Sequence, residues 1–183
     1  MTSENRYYSC GESTAENRYH YTQCGLDNIF LVSGYSCQEI DGTEYVSIKD
    51  VEGLWKAIGI SIATEHSVIS PQEIRFLRTH MELTQEELAR KLGTEAQTLA
   101  RWEKSQTKLQ GPADLALRTL FLTSPVAQPE GCEIIRALYA LIEKRERESC
   151  PDFSATKLIR TMNMDDDNWS TSTNDTQLSF AGI

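Results

Sequence analysis

The sequence lacks the features that mark several classes of protein. Its 183 residues contain no run of 18 apolar residues, so no membrane-spanning helix is predicted. The first residues, MTSENRYYSCGESTAENRY, are polar and lack the apolar centre of a signal peptide, so we expect a cytoplasmic location. No HExxH, GxSxG or glycine-rich phosphate loop occurs, and only three histidines are present. We therefore expect a protein that is not an enzyme.

Paired cysteines are also missing. None of the five cysteines belongs to a Cys-x-x-Cys pair, although structural zinc sites normally use such pairs to fix their geometry. In a reducing compartment, these cysteines are more plausible as thiols or metal ligands than as disulfides. Cys10, His20, Cys24 and Cys37 supply enough ligands for one zinc ion, but their spacing favours unrelated side chains. The sequence therefore predicts no zinc and no other cofactor.

Charge is distributed unevenly along a chain whose net charge is -9. Residues 1–69 carry a net charge of -6 and residues 125–183 carry -4, whereas residues 70–124 carry +1. Net charge bears on non-specific association and leaves open whether a local surface binds phosphate. The middle segment is the only one of the three that is not acidic.

Hydrophobic patterns divide the chain into five segments and predict an α+β fold. Residues 1–18 are polar and are predicted to be flexible. Residues 19–69 predict a small β-rich domain with one helix, because short aromatic and β-branched runs are broken by turn residues such as Asp41-Gly42. Residues 70–124 predict a helical domain, residues 125–162 a C-terminal helical extension, and residues 163–183 a disordered acidic tail.

The segment LTQEELARKLGTEAQTLARWEK, residues 83–104, predicts two short helices joined by a turn at Gly93. Thr84 precedes the first helix and Glu87 follows three residues later, which is the pattern of a capping box. Ala89 is small where the helices would cross, and glycine tolerates the positive φ of the turn. The inward positions are apolar: Leu88, Leu92, Leu99 and Trp102. These offsets indicate a helix-turn-helix, although an αα-hairpin in a helical core remains the alternative.

The exposed face of the second helix distinguishes these two interpretations. Glutamine pairs with an adenine edge, and arginine pairs with guanine or phosphate. The start of the first helix is suited to a phosphate contact. The residues predicted to contact DNA are Thr84, Gln85, Ala96, Gln97, Thr98, Arg101, Lys104 and Lys108.

The sequence SPQEIRFLRTHMELTQEELARKLGTEAQTLARWEKSQTKLQGPADLALRTLF resembles the Xre-type, lambda-repressor-like DNA-binding domain. The resemblance implies five helices and operator binding as a dimer. Residues 19–122 also resemble the MqsA-type antitoxin and regulator group, in which a zinc domain precedes the helix-turn-helix. That domain uses two Cys-x-x-Cys pairs, whereas Cys37 is followed three residues later by Ile40, so the resemblance implies a degenerate zinc domain. Thr94 also departs from the Xre pattern, which prefers a small apolar residue after the glycine.

Two functions follow from these patterns. The first is a sequence-specific DNA-binding transcriptional regulator, a repressor that acts as a homodimer on double-stranded DNA. The second is an antitoxin that neutralises a toxin protein through its N-terminal unit and regulates its own operon. The predicted dimer interfaces are the helices at residues 112–122 and 132–148.

Overall fold

The structure is a computed structural model that describes residues 18–65, 68–127, 159–165 and 168–173. It contains both strands and helices, which confirms the predicted α+β class. The strands are β1 (Tyr19–His20), β2 (Ile29–Leu31), β3 (Tyr35–Ile40), β4 (Thr43–Ile48), β5 (Arg160–Asp165) and β6 (Asn168–Thr173). The helices are α1 (Val51–Thr64), α2 (Pro71–His80), α3 (Gln85–Lys91), α4 (Ala96–Glu103) and α5 (Gly111–Leu122).

Strands from both ends of the described chain form one four-stranded sheet in the order β1-β2-β5-β6. The β1–β2 and β5–β6 pairs are antiparallel, and the central β2–β5 pair is parallel. The register places Ile29 opposite Arg160 and Leu31 opposite Met162. The chain therefore leaves this sheet after β2 and returns to it at β5.

The predicted disordered tail is wrong for the described part of residues 163–183, because β5 and β6 form an antiparallel pair there. β5 also replaces the end of the predicted helical extension from Arg160 to Met162. Met162 and Met164 alternate with polar residues and are buried against the rest of the fold. This apolar alternation stabilises an acidic segment whose composition alone suggested disorder. Residues 128–158, which hold the rest of the extension, lie outside the described residues, as do residues 1–17 and 174–183.

Trp169 of β6 connects the β5–β6 pair to two positions in the N-terminal part of the chain, Gly34 and Asp50. Its indole Nε1 donates a hydrogen bond to the Asp50 carbonyl oxygen at 2.8 Å. Its ring lies over Gly34, where a Cβ atom would come within 2.5 Å of the indole. Gly34 also has a φ of 77°, so both the backbone and the close approach require glycine.

The strands β3 and β4 form a separate two-stranded hairpin. Its turn is at Asp41-Gly42, where both residues have positive φ, and this confirms the turn predicted from the sequence. Asp50 then begins α1 by accepting a hydrogen bond from the Gly53 amide at 2.9 Å.

The helical segment differs from the five-helix form that the resemblance implied for residues 70–124. That range contains four helices, α2 to α5. The fifth helix that packs with them is the second half of α1, which precedes the range and buries Ile58 and Ile62. Arg118 of α5 donates from Nη1 to the Ile62 carbonyl oxygen at 2.6 Å, which places a cation at the negative end of α1.

The contacts divide the described residues into two units, each of which is discontinuous in sequence. One contains the described parts of Met1–Gln23, Asp27–Ala57 and Leu158–Ile183. The other contains Cys24–Leu26 and the described parts of Ile58–Lys157. No helix of the described ranges has both the length and the apolar character that a membrane span requires.

Candidate nucleic-acid interface

A capping box sets the start of α3. The Thr84 hydroxyl oxygen accepts a hydrogen bond from the Glu87 amide at 3.2 Å, and Glu87 Oε2 accepts one from the Thr84 amide at 2.8 Å. These bonds satisfy two amides at the helix start and confirm the predicted cap. The hydrogen bonds from the backbone and the hydroxyl of Thr84 hold the pKa of the Glu87 carboxyl below its ordinary value.

The turn between α3 and α4 follows the predicted geometry. Gly93 has a φ of 67°, and no atom lies within 4 Å of the Cβ that another residue would add there. Ala89 is 1% exposed where the two helices cross. Leu88 and Leu99 are fully buried and Trp102 is 5% exposed, so the inward face of the two helices forms a continuous core. Residues 85–103 thus form a helix-turn-helix.

The outer face of α4 carries most of the side chains predicted to contact bases. Gln97 and Arg101 are exposed, whereas Ala96 and Thr98 are partly buried. Glu95 is the N-cap residue of α4, but its side chain makes no capping hydrogen bond. The amino end of α4 therefore lacks the side-chain cap that α3 has.

A groove of about 480 Å³ runs beside this face. It brings together Thr98 and Arg101 of α4, Thr94 of the turn, and Thr107 and Lys108 of the following loop. Lys104, the C-cap residue of α4, is exposed but does not line the groove, and neither do Ala96 and Gln97. The structure thus divides the predicted contacts between a groove and the exposed surface next to it.

Gln85 makes a contact that the sequence did not predict. Its side-chain Nε2 donates a hydrogen bond to Glu103 Oε2 at 2.8 Å, which ties the start of α3 to the end of α4. The bond fixes the side-chain amide, and the phosphate contact expected of Gln85 stays a prediction.

Glu103 connects three helices through one carboxylate. Arg78 of α2 donates to it from Nε at 2.6 Å and from Nη2 at 3.2 Å, in addition to the bond from Gln85. Arg75 lies 3.8 Å from the same carboxylate. Glu103 is 5% exposed, and this burial by itself raises the pKa of its carboxyl. The hydrogen bonds from Arg78 and Gln85 and the charges of Arg78 and Arg75 together have a larger, opposite effect, so the pKa lies below its ordinary value. The carboxylate is therefore held ionised.

The burial of acidic groups changes the surface charge of residues 70–124. Glu73 and Glu103 are buried, and Asp114 is partly buried. The exposed residues of this range include four acidic ones, Glu82, Glu86, Glu87 and Glu95. The exposed basic residues number six: Arg75, Arg90, Lys91, Arg101, Lys104 and Lys108. The surface of the helix-turn-helix unit is thus more positive than its composition suggests, which favours an approach to phosphate.

The candidate zinc ligands occupy ordinary structural positions where they are described. His20 stacks on Phe30 with ring centroids 4.7 Å apart, and its Nε2 lies 2.9 Å from the Asp27 carbonyl oxygen. Cys24 and Cys37 are partly buried. Cys10 lies outside the described residues. Within the described part of the chain, no three His, Cys, Asp or Glu side chains form a group that fits a metal ion.

The comparison with protein families decides what kind of segment this is. Residues 74–111 match the family HTH_3, described as helix-turn-helix. The match covers most of α2 and all of α3, the turn and α4, and it supports a DNA-binding regulator with an Xre-type helix-turn-helix. It spans about a fifth of the 183 residues and therefore describes this segment rather than the whole chain. The comparisons with curated proteins and with solved structures gave no match.

The buried network around Glu103 was not predicted from the sequence. Its partners lie 18 and 25 residues away, on two other helices, so no local pattern pairs them. One available signal was the position of Glu103 directly after Trp102, on the inward side of an amphipathic helix. An acid on that side of a helix requires a cationic or hydrogen-bonding partner.

Proposed function

We propose that the protein is a sequence-specific transcriptional repressor that acts in the cytoplasm and binds double-stranded DNA through α4. The observation that carries the proposal is the outer face of α4. It presents Gln97 and Arg101 to solvent, beside a groove that Arg101 shares with Lys108, on a helix-turn-helix with a complete core. The proposed role is binding, without enzymatic chemistry.

Base recognition is assigned to the exposed residues of α4. The Gln97 amide has the donor and acceptor needed to pair with the N6 and N7 positions of adenine. Arg101 has the planar donors that fit guanine or a phosphate. Thr98 is partly buried, lines the groove with Arg101 and offers its hydroxyl or methyl group to a base edge.

Backbone contacts are assigned to the cations after α4. Lys104 and Lys108 are exposed and lie on the chain that follows this helix. Lysine neutralises phosphate without reading sequence, so these two residues supply affinity that depends on salt. The acidic segments elsewhere in the chain then limit non-specific binding.

The Glu103 network supports this interface from behind. One carboxylate links α2, α3 and α4 through Arg78 and Gln85, so the recognition helix is fixed before DNA arrives. Fixing a binding element in advance reduces the entropy that is lost on association.

The proposed repressor acts as a homodimer. One helix-turn-helix offers few base contacts, and useful specificity normally comes from two half-sites about 34 Å apart. A dimer bound across an operator then blocks the DNA that it covers.

Enrichment of random duplex DNA by the full chain tests the function. The expected result is a consensus with two half-sites, lost in Arg101→Ala and retained in Arg90→Ala. Arg90 is an exposed cation at the end of α3 and serves as the matched control. Failure of the folded wild-type chain to enrich any sequence would refute the proposal.

Antitoxin activity is a second candidate, favoured by the β3–β4 hairpin. Ile40 and Tyr45 are 53% and 55% exposed, and the register places them on the same face of the hairpin. Two exposed apolar residues on one face suit a protein contact. Co-expression with a neighbouring toxin-like reading frame is the test. Rescue of growth by the wild-type chain but not by the double variant Ile40→Ser, Tyr45→Ser supports this function. Rescue by the double variant would exclude this surface.

A further inference from the structure

The outer edge of β6 is an open sheet edge among the described residues, since β6 is the last strand in the order β1-β2-β5-β6. Two hydrogen bonds on the other side of β5 fix the direction of its backbone groups, and the groups at the β6 edge follow from them. The Arg160 amide donates to the Asn28 carbonyl oxygen, and the Met162 carbonyl oxygen accepts from the Val32 amide, both at 2.9 Å. The backbone groups of Arg160 and Met162 therefore point towards β2.

The alternation of an extended strand then fixes the remaining directions. Because successive residues of a strand present their amides and carbonyls to opposite sides, Thr161 and Asn163 point towards β6. They lie opposite Ser172 and Ser170, whose backbone groups are used in the β5–β6 ladder. The amides and carbonyls that remain face outward, and they belong to Trp169, Thr171 and Thr173.

β6 lacks the usual protection of an edge strand. Edge strands are normally short, charged, interrupted by proline or bulged, because an open row of amides and carbonyls pairs with other strands. β6 has six residues, NWSTST, with no charge and no proline. The other edge of this sheet, β1, has only two residues. The β3–β4 hairpin carries acids on both strands, with Glu39 opposite Glu44.

We propose that β6 pairs antiparallel with β6 of a second copy of this chain and so forms the homodimer. Two copies of a strand related by a two-fold axis perpendicular to it run antiparallel. Each outward amide of one copy then faces an outward carbonyl of the other. Centring the pair on Thr171 uses all the outward groups, since Trp169 then lies opposite Thr173 of the other copy. Each chain has a net charge of -9, so two copies repel, but the six residues of β6 carry no charge that opposes their own pairing.

This inference deepens the proposed function by naming where the two copies meet. It differs from the interfaces predicted from the sequence, which stay predictions: Leu117 and Phe121 of α5 are buried in the core, and residues 132–148 lie outside the described residues. Pairing at β6 is a property of the chain alone and is measured without DNA. Loss of DNA binding and loss of pairing are therefore separate results.

Amide hydrogen exchange at two protein concentrations tests the pairing on the unmodified chain. The expected result is that the amides of Trp169, Thr171 and Thr173 are protected at high concentration and lose protection on dilution. The Ser170 amide, which bonds to β5, stays protected at both concentrations. The lower concentration is chosen so that sedimentation shows a monomer. Protection of the outward amides in that monomer would show that another part of the same chain covers the edge, and absence of protection at both concentrations would show that nothing does. Either result overturns the proposal.

A proline substitution provides the matched pair of variants. Thr171→Pro removes one outward amide while leaving the β5–β6 ladder intact, because the Thr171 amide is not used in that ladder. We expect its dimer dissociation constant to rise at least about tenfold in sedimentation equilibrium. Thr171→Val keeps the amide and should associate like the wild type. If Thr171→Pro folds and dimerises normally, β6 is not the interface, and if it fails to fold, the exchange measurement decides.

Discussion

Glu103 shows how one side chain organises the DNA-binding unit. Its carboxylate accepts hydrogen bonds from Arg78 and Gln85 and is 5% exposed. A carboxylate in this position requires partners, because an unpaired buried charge is strongly unfavourable. The hydrogen bonds that meet this requirement hold α2, α3 and α4 in one arrangement. The predicted phosphate contact of Gln85 thus has to be weighed against a structural contact that only the tertiary fold reveals.

Substitution of Glu103 by glutamine removes the charge that pairs with Arg78. We expect Glu103→Gln to lower the free energy of unfolding by about 3 kcal/mol, at the low end of the range for a broken buried pair, since the Arg78 side chain keeps 14% exposure. Denaturant unfolding measures the change. Glu86→Gln, at an exposed position, should stay within about 0.5 kcal/mol of the wild type, and equal effects of the two substitutions would refute the role of Glu103.

The pKa of Glu103 also sets a dependence on pH. Because its folded-state pKa is lower than in the unfolded chain, the unfolded chain binds the proton more readily, and acid favours unfolding. The stabilisation is therefore complete above the ordinary pKa of 4.5 and is lost as the pH falls through the folded-state value. We expect the loss of stability below that pH to be shallower in Glu103→Gln than in the wild type, as measured by denaturant unfolding across the acidic range. An unchanged acid slope would contradict this account.

At the scale of elements, the local signals were sufficient for the helices of the DNA-binding unit. Thr84 begins α3 and Gly93 lies in the turn with a positive φ, as predicted, because caps and positive-φ positions depend on neighbouring residues. Ser70 and Pro71 begin α2 through the same kind of local signal. β5 and β6 were not predicted. The parallel partner of β5 lies about 130 residues earlier, and the acidic residues around Met162 and Met164 obscured their alternation.

The cap of α3 gives a test at this scale. Thr84→Ala removes the acceptor for the Glu87 amide, and the loss of such a cap costs about 1 kcal/mol of stability. Thermal unfolding monitored on the helices measures it. Thr79→Ala is the control, because the Thr79 hydroxyl bonds to the carbonyl of Arg75 within α2 and caps no helix start. A Thr84→Ala protein as stable as the control would show that the capping box contributes nothing.

At the scale of the whole molecule, the two ends of the described chain depend on each other. Ile29 and Leu31 of β2 are fully buried and pair with β5. The β-rich unit thus requires residues that follow the helix-turn-helix in sequence. The linear segments predicted from composition do not include this dependence, since a parallel strand pair between distant segments leaves no local signature.

Deletion of residues 159–183 tests this dependence. We expect the amides of β1 and β2 to lose their protection against hydrogen exchange while those of α3 and α4 keep theirs, because β2 loses its neighbour. Deletion of residues 174–183 alone, which spares both strands, is the control and should leave β2 protected. Full protection of β2 in the longer deletion would show that the N-terminal strands are stable without β5.

The central claim is that α4 reads DNA sequence. The most direct measurement is the affinity of three proteins, the wild type, Gln97→Ala and Lys104→Ala, for an enriched operator and for unrelated DNA, over a range of salt. We expect Gln97→Ala to lose about 1–3 kcal/mol on the operator and little on unrelated DNA, because Gln97 is assigned to a base. Lys104→Ala should weaken both DNAs alike and reduce the salt slope by about one unit. If both folded variants bind the operator as the wild type does, α3 and α4 form only an αα-hairpin, and the claim is wrong.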